Sequence, residues 1–291
     1  MKSASRRGCG FHSSIPQFLN SSILTAPAWL WMALFFLLPL AIVFVYSFLS
    51  KGYYGGVATP VTAANYRRFL DPLYLRILLR TFVMAGLTTF LCLALGYPLA
   101  YFIAVHGGRR KNLLLFLVVL PFWISFLVRT YAWIFLLRDT GLINTILIRL
   151  GWMRVPLPLL YNDGAVLVGL VYGFLPLMVL PLYASIERLD RSLLEAAADL
   201  GARPAVALAR ITMPLTLPGI YAGSVLVFVS ALGAYITPDL LGGGKSILIG
   251  NLVQNQFTTA RDWPFGSAVS LLVMVIVLAG LQLYRRQGEI A

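Results

Sequence analysis

The chain has 291 residues, of which 59% are hydrophobic and 11% are charged, and its mean hydropathy is +0.84. Soluble domains carry about 25% charged residues, so this composition excludes a soluble enzyme and indicates an integral membrane protein in a lipid bilayer. The formal net charge of +13 does not indicate nucleic-acid binding, because in a membrane protein Lys and Arg collect beside anionic headgroups.

Six apolar runs are long enough to cross a bilayer, whose ~30 Å hydrocarbon core needs about 20 helical residues. We therefore predict an all-α integral membrane protein with six transmembrane helices. The first run is too long for a cleaved signal sequence and is expected to remain as an anchor. The predicted spans are residues 26–49, 78–104, 112–137, 165–186, 214–236 and 265–284.

The spans divide the chain into four parts. We expect a polar cytoplasmic tail (1–24), a first transmembrane helix with its outer loop (25–64), a core of five transmembrane helices (65–286) and a C-terminal tail (287–291). An even number of spans places both termini on one side. Arg109, Arg110 and Lys111 lie in the shortest loop on that side, and the positive-inside rule predicts that it is cytoplasmic. The outer loops exceed 20 residues and are expected to contain short helices.

The connection between the fourth and fifth spans, residues 187–213, is polar and contains a glycine break. Five apolar residues recur in it at helical spacing, and three charged residues occupy another face, which predicts a short amphipathic helix along the membrane. Gly201 is expected at the C′ position of this helix, and Pro204 in the first turn of the next one. The apolar residues are Leu189, Leu193, Leu194, Ala197 and Leu200, and the charged ones are Arg191, Glu195 and Asp199.

Ser192 and Glu195 have the spacing of a capping box, in which Glu195 would bond to backbone at the helix start. The alternative is that Glu195 contacts a partner protein. The sequence leaves both roles open.

This connection resembles the EAA loop of the membrane permeases of bacterial ABC importers. Glu195-Ala196-Ala197 is followed after three residues by Gly201 and, nine residues later, by Ile211-Thr212-Met213-Pro214, with Met213 where the pattern has Leu. Longer runs at 120–133, 233–243 and 262–266 are similar to the spermidine/putrescine permease branch. The similarity extends over residues 65–284.

The resemblance implies a type I ABC importer permease fold in the bacterial inner membrane and transport by alternating access. It also implies three partners: two copies of a cytoplasmic ATPase, a second permease of similar fold and an extracytoplasmic solute-binding protein. In that family the EAA segment is a coupling helix that docks on the ATPase. The positions carried over are Glu195, Ala196, Ala197, Asp199 and Gly201.

The sequence contains no recognisable motif for catalysis. The Gly242-Gly243-Gly244-Lys245-Ser246 run fails the P-loop pattern because Asp239 stands where a glycine is required. With His12 and His106 as the only histidines, we expect no metal site, no cofactor and no enzymatic activity. A stand-alone secondary transporter is the alternative from another class, but it usually needs ionisable relays within the membrane, and the predicted spans contain no acidic residue.

A polyamine requires aromatic faces and carboxylates around its ammonium groups. The candidates for the substrate pathway are Trp123, Tyr131, Trp133, Tyr235 and Asp239. The aromatic residues have an alternative role, since Trp and Tyr concentrate at membrane interfaces. Arg129 is a sixth pathway candidate, and the sequence leaves open whether it reaches headgroups or an aqueous cavity. Its positive charge does not favour a polyamine, so another organic solute, such as an opine or an amino-acid derivative, is the alternative substrate.

Overall fold

The computed structural model describes residues 17–190 and 192–288, and their fold is helical apart from one two-stranded ribbon. The helices before the coupling region are α1 (Gln17–Met32), α2 (Leu38–Ser47), α3 (Ala64–Phe69), α4 (Pro72–His106), α5 (Lys111–Val119), α6 (Phe126–Leu137), α7 (Leu142–Arg149) and α8 (Asp163–Glu187). The remaining helices are α9 (Ser192–Asp199), α10 (Pro204–Ala207), α11 (Met213–Leu215), α12 (Leu217–Leu232), α13 (Ile236–Gly242), α14 (Ile249–Thr258) and α15 (Trp263–Gly288). Strands β1 (Ser50–Lys51) and β2 (Val57–Ala58) pair antiparallel, with Ser50 opposite Ala58.

Five helical stretches within the described residues are long and apolar enough to cross a membrane, and a bent pair of segments supplies a sixth. The five are Thr25–Ser47, Pro72–His106, Phe126–Arg149, Asp163–Glu187 and Trp263–Gln282, and the bent pair is Pro204–Leu215 with Leu217–Leu232. This count agrees with the predicted all-α membrane fold. The predicted tails 1–24 and 287–291 fall partly outside the described residues; α1 already begins at Gln17, and α15 continues to Gly288.

The predicted third span, 112–137, is not one helix. Helix α5 ends at Val119, the chain forms a 3₁₀ turn over Leu120–Trp123, and α6 begins at Phe126. Pro121 has no backbone N–H for a helical hydrogen bond, and Ile124 and Ser125 are extended, with ψ of 135°. The apolar run 112–137 is long enough to cross a membrane, but the break near Pro121 divides it into two helices.

Helices α4, α8 and α12 form the centre of the fold, where they pack against one another. Their largest buried cluster includes Cys92 and Tyr97 of α4, Met178 and Leu182 of α8, and Val227 of α12. Since lipid is as apolar as these side chains, close packing holds such helices together, and small residues allow it. The first span contrasts with this core, because no residue in its most apolar 18-residue window is buried.

Polar residues start the two long central helices. Asp71 Oδ1 accepts a hydrogen bond from Leu73 N at 2.9 Å before α4, and Asn162 Oδ1 accepts one from Ala165 N at 2.9 Å before α8. These are ordinary N-cap bonds. Short helices occupy two of the loops, as predicted: α3 follows the first span, and α13 and α14 lie between α12 and α15.

Candidate functional site

The coupling region, residues 187–213, folds as a helix, a sharp turn and a second helix. At the end of α9, Gly201 N donates to Ala198 O and Ala202 N donates to Ala197 O, both at 2.9 Å. These two bonds define a Schellman motif. Gly201 has φ of +77°, in the left-handed region that costs other residues about 1–2 kcal/mol. Its predicted C′ position is confirmed, as is Pro204 at the start of α10.

The capping box predicted for Ser192 and Glu195 is absent from the described part of the chain. Ser192 is already the first residue of α9, and its N–H donates to Asp190 Oδ1 at 3.0 Å. That hydrogen bond lowers the pKa of Asp190, and a second one from the Ser192 hydroxyl adds to the shift. Glu195 is exposed and makes no hydrogen bond or ion pair with the described residues. Among the described residues, Glu195 therefore presents its carboxylate to solvent.

The predicted apolar face of α9 is only partly buried. Ala197 is 7% exposed, and Leu189 packs against the main core cluster. Leu193 and Leu200 are instead exposed, and Leu200 reaches 89%. Leu200 directly precedes Gly201, whose left-handed conformation turns the chain, so Leu200 lies just past the end of α9 with its side chain in solvent. Arg191, predicted on the charged face, lies outside the described residues.

The exposed surface of the coupling region is defined here as Glu195, Ala196, Asp199 and Leu200. It presents two carboxylates beside a leucine side chain. Ala197 holds the opposite side of α9 against the protein. An ion pair with 2.5 Å between Lys111 Nζ and Glu187 Oε1 joins the start of α5 to the end of α8, next to this region.

The third-span candidates for the substrate pathway lie on the 3₁₀ turn and on α6, in different surroundings. Trp123 is 76% exposed and meets the Phe116 ring edge-on at 5.5 Å, while Tyr131 is half exposed. Trp133 packs edge-to-face against Tyr172 at 5.5 Å and adjoins a buried cluster. Trp133 is therefore packed inside the protein. The rings of Trp123 and Tyr131 remain accessible to lipid, solute or another protein.

Arg129 lies between two aromatic rings of its own segment. Its guanidinium carbon is 5.5 Å from the Phe122 ring and 5.4 Å from the Phe126 ring. Its Nε and Nη1 atoms are buried and make no hydrogen bond with the described residues. Cation–π contacts therefore partly replace the water that this charge loses.

Tyr235 and Asp239 lie at the far end of α12 and on α13, and they line separate cavities. Tyr235 faces an apolar cavity of about 610 Å³ formed with α14 and α15. Asp239 faces a polar cavity of about 460 Å³ formed with the start of α4 and with α14. Neither cavity is lined by Trp123, Arg129, Tyr131 or Trp133. The six predicted pathway residues are thus not gathered into one pocket of the described chain.

Arg80, to which the sequence pattern gives no role, lies in a charged network. Arg80 Nη2 lies 2.5 Å from Asp163 Oδ1, and Nη1 donates to Lys245 O at 3.2 Å. Ser246 Oγ also donates to Asp163 Oδ1. The network joins α4, the start of α8 and the loop before α14. No signal in the sequence pairs these positions, since about 80 residues or more separate the two acceptors from Arg80.

A third ion pair joins α3 to Asp262, the residue that precedes α15. Arg68 Nη1 lies 2.8 Å from Asp262 Oδ2, and the Arg68 guanidinium stands 4.1 Å from the centre of the Phe265 ring. Asp262 is almost fully buried. Asn65 of α3 donates to Ser47 O and Leu49 O at 3.0 and 2.9 Å, so α3 is held by the protein at both ends.

Comparison with known proteins assigns the fold and the family. The model of the binding-protein-dependent transport system inner membrane component matches residues 96–287. The spermidine/putrescine transport system permease protein PotB of Salmonella typhimurium is 43% identical over 94% of this chain and 95% of that protein. PotB of Escherichia coli strain K12 is 44% identical over 89% of this chain and 94% of that protein.

A solved structure with the same architecture is a bacterial alginate ABC transporter in complex with alginate pentasaccharide-bound periplasmic protein. The TM-score is 0.69, with 90% of this chain and 91% of that chain covered, at 19% sequence identity. This likeness concerns the fold alone. With the family match and the two relatives, it establishes an ABC importer permease fold, and the chain belongs to the family of inner membrane components of binding-protein-dependent transport systems.

Proposed function

We propose that this chain is the permease subunit of an ATP-driven importer that moves a polyamine, spermidine or putrescine, across the bacterial inner membrane. The observation that carries the substrate class is the 43% identity to PotB over nearly the full length of both proteins. The expected role of this chain is transport, with ATP hydrolysis on a separate subunit.

The exposed surface of the coupling region is the proposed contact with the ATPase. Glu195 and Asp199 present carboxylates, Ala196 leaves room for close approach, and the exposed Leu200 supplies an apolar anchor. Ala197 and Gly201 act differently: Ala197 seats α9 on the protein, and Gly201 makes the turn. Because α9 and α10 connect directly to α8 and α12, a movement of the ATPase would reach the helical core through them.

The proposed complex contains two ATPase copies, a second permease of similar fold and an extracytoplasmic solute-binding protein. Arg109, Arg110 and Lys111 lie at the same end of the fold as the coupling region, as the Lys111–Glu187 pair indicates. This arrangement supports cytoplasmic termini, because the ATPase must meet the coupling region in the cytoplasm. In alternating access, closure of the ATPase dimer would move α9 and open the cavity on the opposite side.

Reconstitution of the four components in proteoliposomes tests the function. We expect ATP hydrolysis that rises with polyamine-loaded binding protein, together with uptake of labelled spermidine or putrescine. E195A combined with D199A should abolish the stimulation, whereas D139A, which removes an exposed carboxylate elsewhere, should not. Assembly and basal hydrolysis without polyamine uptake would refute the substrate and favour another organic solute. Uptake by this chain without ATP would favour a secondary transporter.

A further inference from the structure

The polar cavity beside Asp239 lies between the start of α4, helix α13 and helix α14, with a volume of about 460 Å³. Helix α12 connects the coupling region to α13, so this cavity lies at the opposite end of α12 from the coupling region. Its polar lining residues are Tyr74, Asp239, Ser246, Asn251, Gln254, Asn255 and Gln256. Two larger cavities that adjoin α15 are lined almost entirely by apolar residues.

Several polar groups around this cavity have no partner within the described chain. Gln256 is only 9% exposed, yet its carboxamide makes no hydrogen bond with any described residue. The same holds for the carboxylate of Asp239 and the carboxamide of Asn255, both exposed. The Gln256 carboxamide, which lines the cavity, therefore has its oxygen and its two N–H donors free to pair with a ligand. Asn251 differs, because it already bonds to Leu248 N and Tyr235 O.

The charge inside the cavity is negative. Two cations contact residues of the lining, and both are paired with carboxylates. Arg80, 3.4 Å from Ser246 Oγ, pairs with Asp163, and Arg68, 5.9 Å from the Tyr74 ring, pairs with Asp262. Lys245 is exposed and does not line the cavity. Asp239 is therefore the one charged residue among those that line it, which selects a cation and disfavours an anion.

Carboxylate and amide oxygens suit an alkylammonium group, which has three N–H donors and one positive charge. The rest of the lining is aliphatic, through Leu73, Ile77, Pro238, Ile247 and Leu252, and fits a methylene chain. We propose that this cavity is a recognition site for one primary ammonium end of the transported polyamine, with Asp239 and Gln256 as its main ligands. The proposal rests on the proposed function and adds the site to it.

Uptake kinetics of the reconstituted complex test these ligands. D239N and Q256L keep the side-chain volumes nearly unchanged, and each is expected to raise KM for spermidine about tenfold, with less than a twofold change in maximal rate. D139N, which alters an exposed carboxylate outside the cavity, is the matched control and should leave KM unchanged. An unchanged KM in both cavity variants would overturn the proposal.

Chemical protection provides a readout that is independent of transport. In a chain with Cys9 replaced by serine, N255C should react with a positively charged thiol reagent, and spermidine should slow this reaction at least threefold. T259C, one helical turn further along in an exposed position outside the cavity, is the control and should react equally with and without spermidine. Equal labelling of N255C in both conditions would contradict binding at this site.

The two proposals fail in distinguishable ways. If the unmodified complex takes up no polyamine, the proposed function is wrong and the ammonium site falls with it. If it takes up polyamine while D239N, Q256L and N255C behave as their controls do, the function stands and the site alone is refuted.

Discussion

The hydroxyl of Tyr97 lies 3.0 Å from Thr216 Oγ1, and both residues are buried. Thr216 occupies the 69° bend between the segment Pro204–Leu215 and α12. Its own hydroxyl donates to Thr212 O at 2.8 Å, so the Tyr97 hydroxyl is the donor to Thr216. Through this bond α4 contacts the point where the coupling region enters the membrane core.

Removing the Tyr97 hydroxyl tests whether this contact holds the bend. Y97F should lower the free energy of unfolding by about 1 kcal/mol, the usual net contribution of one hydrogen bond, and should reduce the stimulation of ATP hydrolysis. Thermal unfolding in detergent and ATPase assays of the complex measure the two effects. The control is Y101F, because the Tyr101 hydroxyl makes no hydrogen bond with the described residues. If Y97F and Y101F are equally stable and active, the bond is not needed at the bend.

Close approach of α12 to α8 depends on Gly219. A Cβ added there would lie 2.5 Å from Ser185 Cβ and 2.8 Å from Pro181 O, and the backbone oxygen cannot move aside cheaply. Overpacking of this kind costs about 1–3 kcal/mol, so G219A should lower the unfolding temperature clearly.

The matched control for Gly219 is Gly86 of α4. A Cβ on Gly86 meets no atom within 4 Å, so G86A should be as stable as the unmodified protein, or more stable. Comparable melting temperatures for G219A and G86A would show that the helices separate easily at this crossing. Gly223, one turn further along α12, also approaches α8, where an added Cβ would lie 2.8 Å from the Met178 sulfur.

The parts of the fold that follow from local chemistry were predictable. Gly201 and Pro204 terminate and start helices through their own backbone preferences, and the structure has them in those positions. Apolar run length located most spans. Run length missed the break at Pro121. A single proline can end a helix, but hydropathy is averaged over about 20 residues and does not respond to one proline.

Contacts between residues far apart in the chain could not be predicted from the sequence pattern. Asp239 was a candidate from its charge alone, but nothing marked Gln256, which becomes a cavity residue only when α14 folds back beside α4. Arg80 and Asp163 are 83 positions apart and meet only in the folded chain. Similarly, the capping box at Ser192 matched a local pattern, whereas the actual acceptor, Asp190, lies two residues earlier.

The conformation of Gly201 yields a prediction about coupling. No atom lies within 4 Å of a Cβ added at this residue, so G201A acts through backbone strain alone, about 1–2 kcal/mol in the left-handed region. We expect the stimulation of ATP hydrolysis to fall severalfold. G201N should retain more activity, since Asn enters this region more readily than Ala. Measured in the same complex, equal activity of G201A and unmodified protein would refute a need for the turn.

Acidification should loosen the start of α9 through Asp190. The hydrogen bond from Ser192 N–H favours the charged carboxylate and holds the pKa of Asp190 below its usual value of about 3.9. Its stabilising contribution is therefore complete above about pH 4 and is lost as the pH falls through the lowered pKa of the folded state. Hydrogen exchange of the α9 amides measures this effect.

D190A removes the acceptor and allows the contribution of Asp190 to be isolated. At pH 6 the amides of Ser192 to Leu194 should exchange faster in D190A than in the unmodified protein. The difference should shrink towards zero as the pH falls below the lowered pKa of Asp190 in the folded state, because the carboxyl group is then protonated in both folded and unfolded chains. D139A corrects for the loss of one exposed carboxylate elsewhere. A difference that grows on acidification would mean that Asp190 stabilises α9 in its neutral form, and the cap would then have to be assigned to another group.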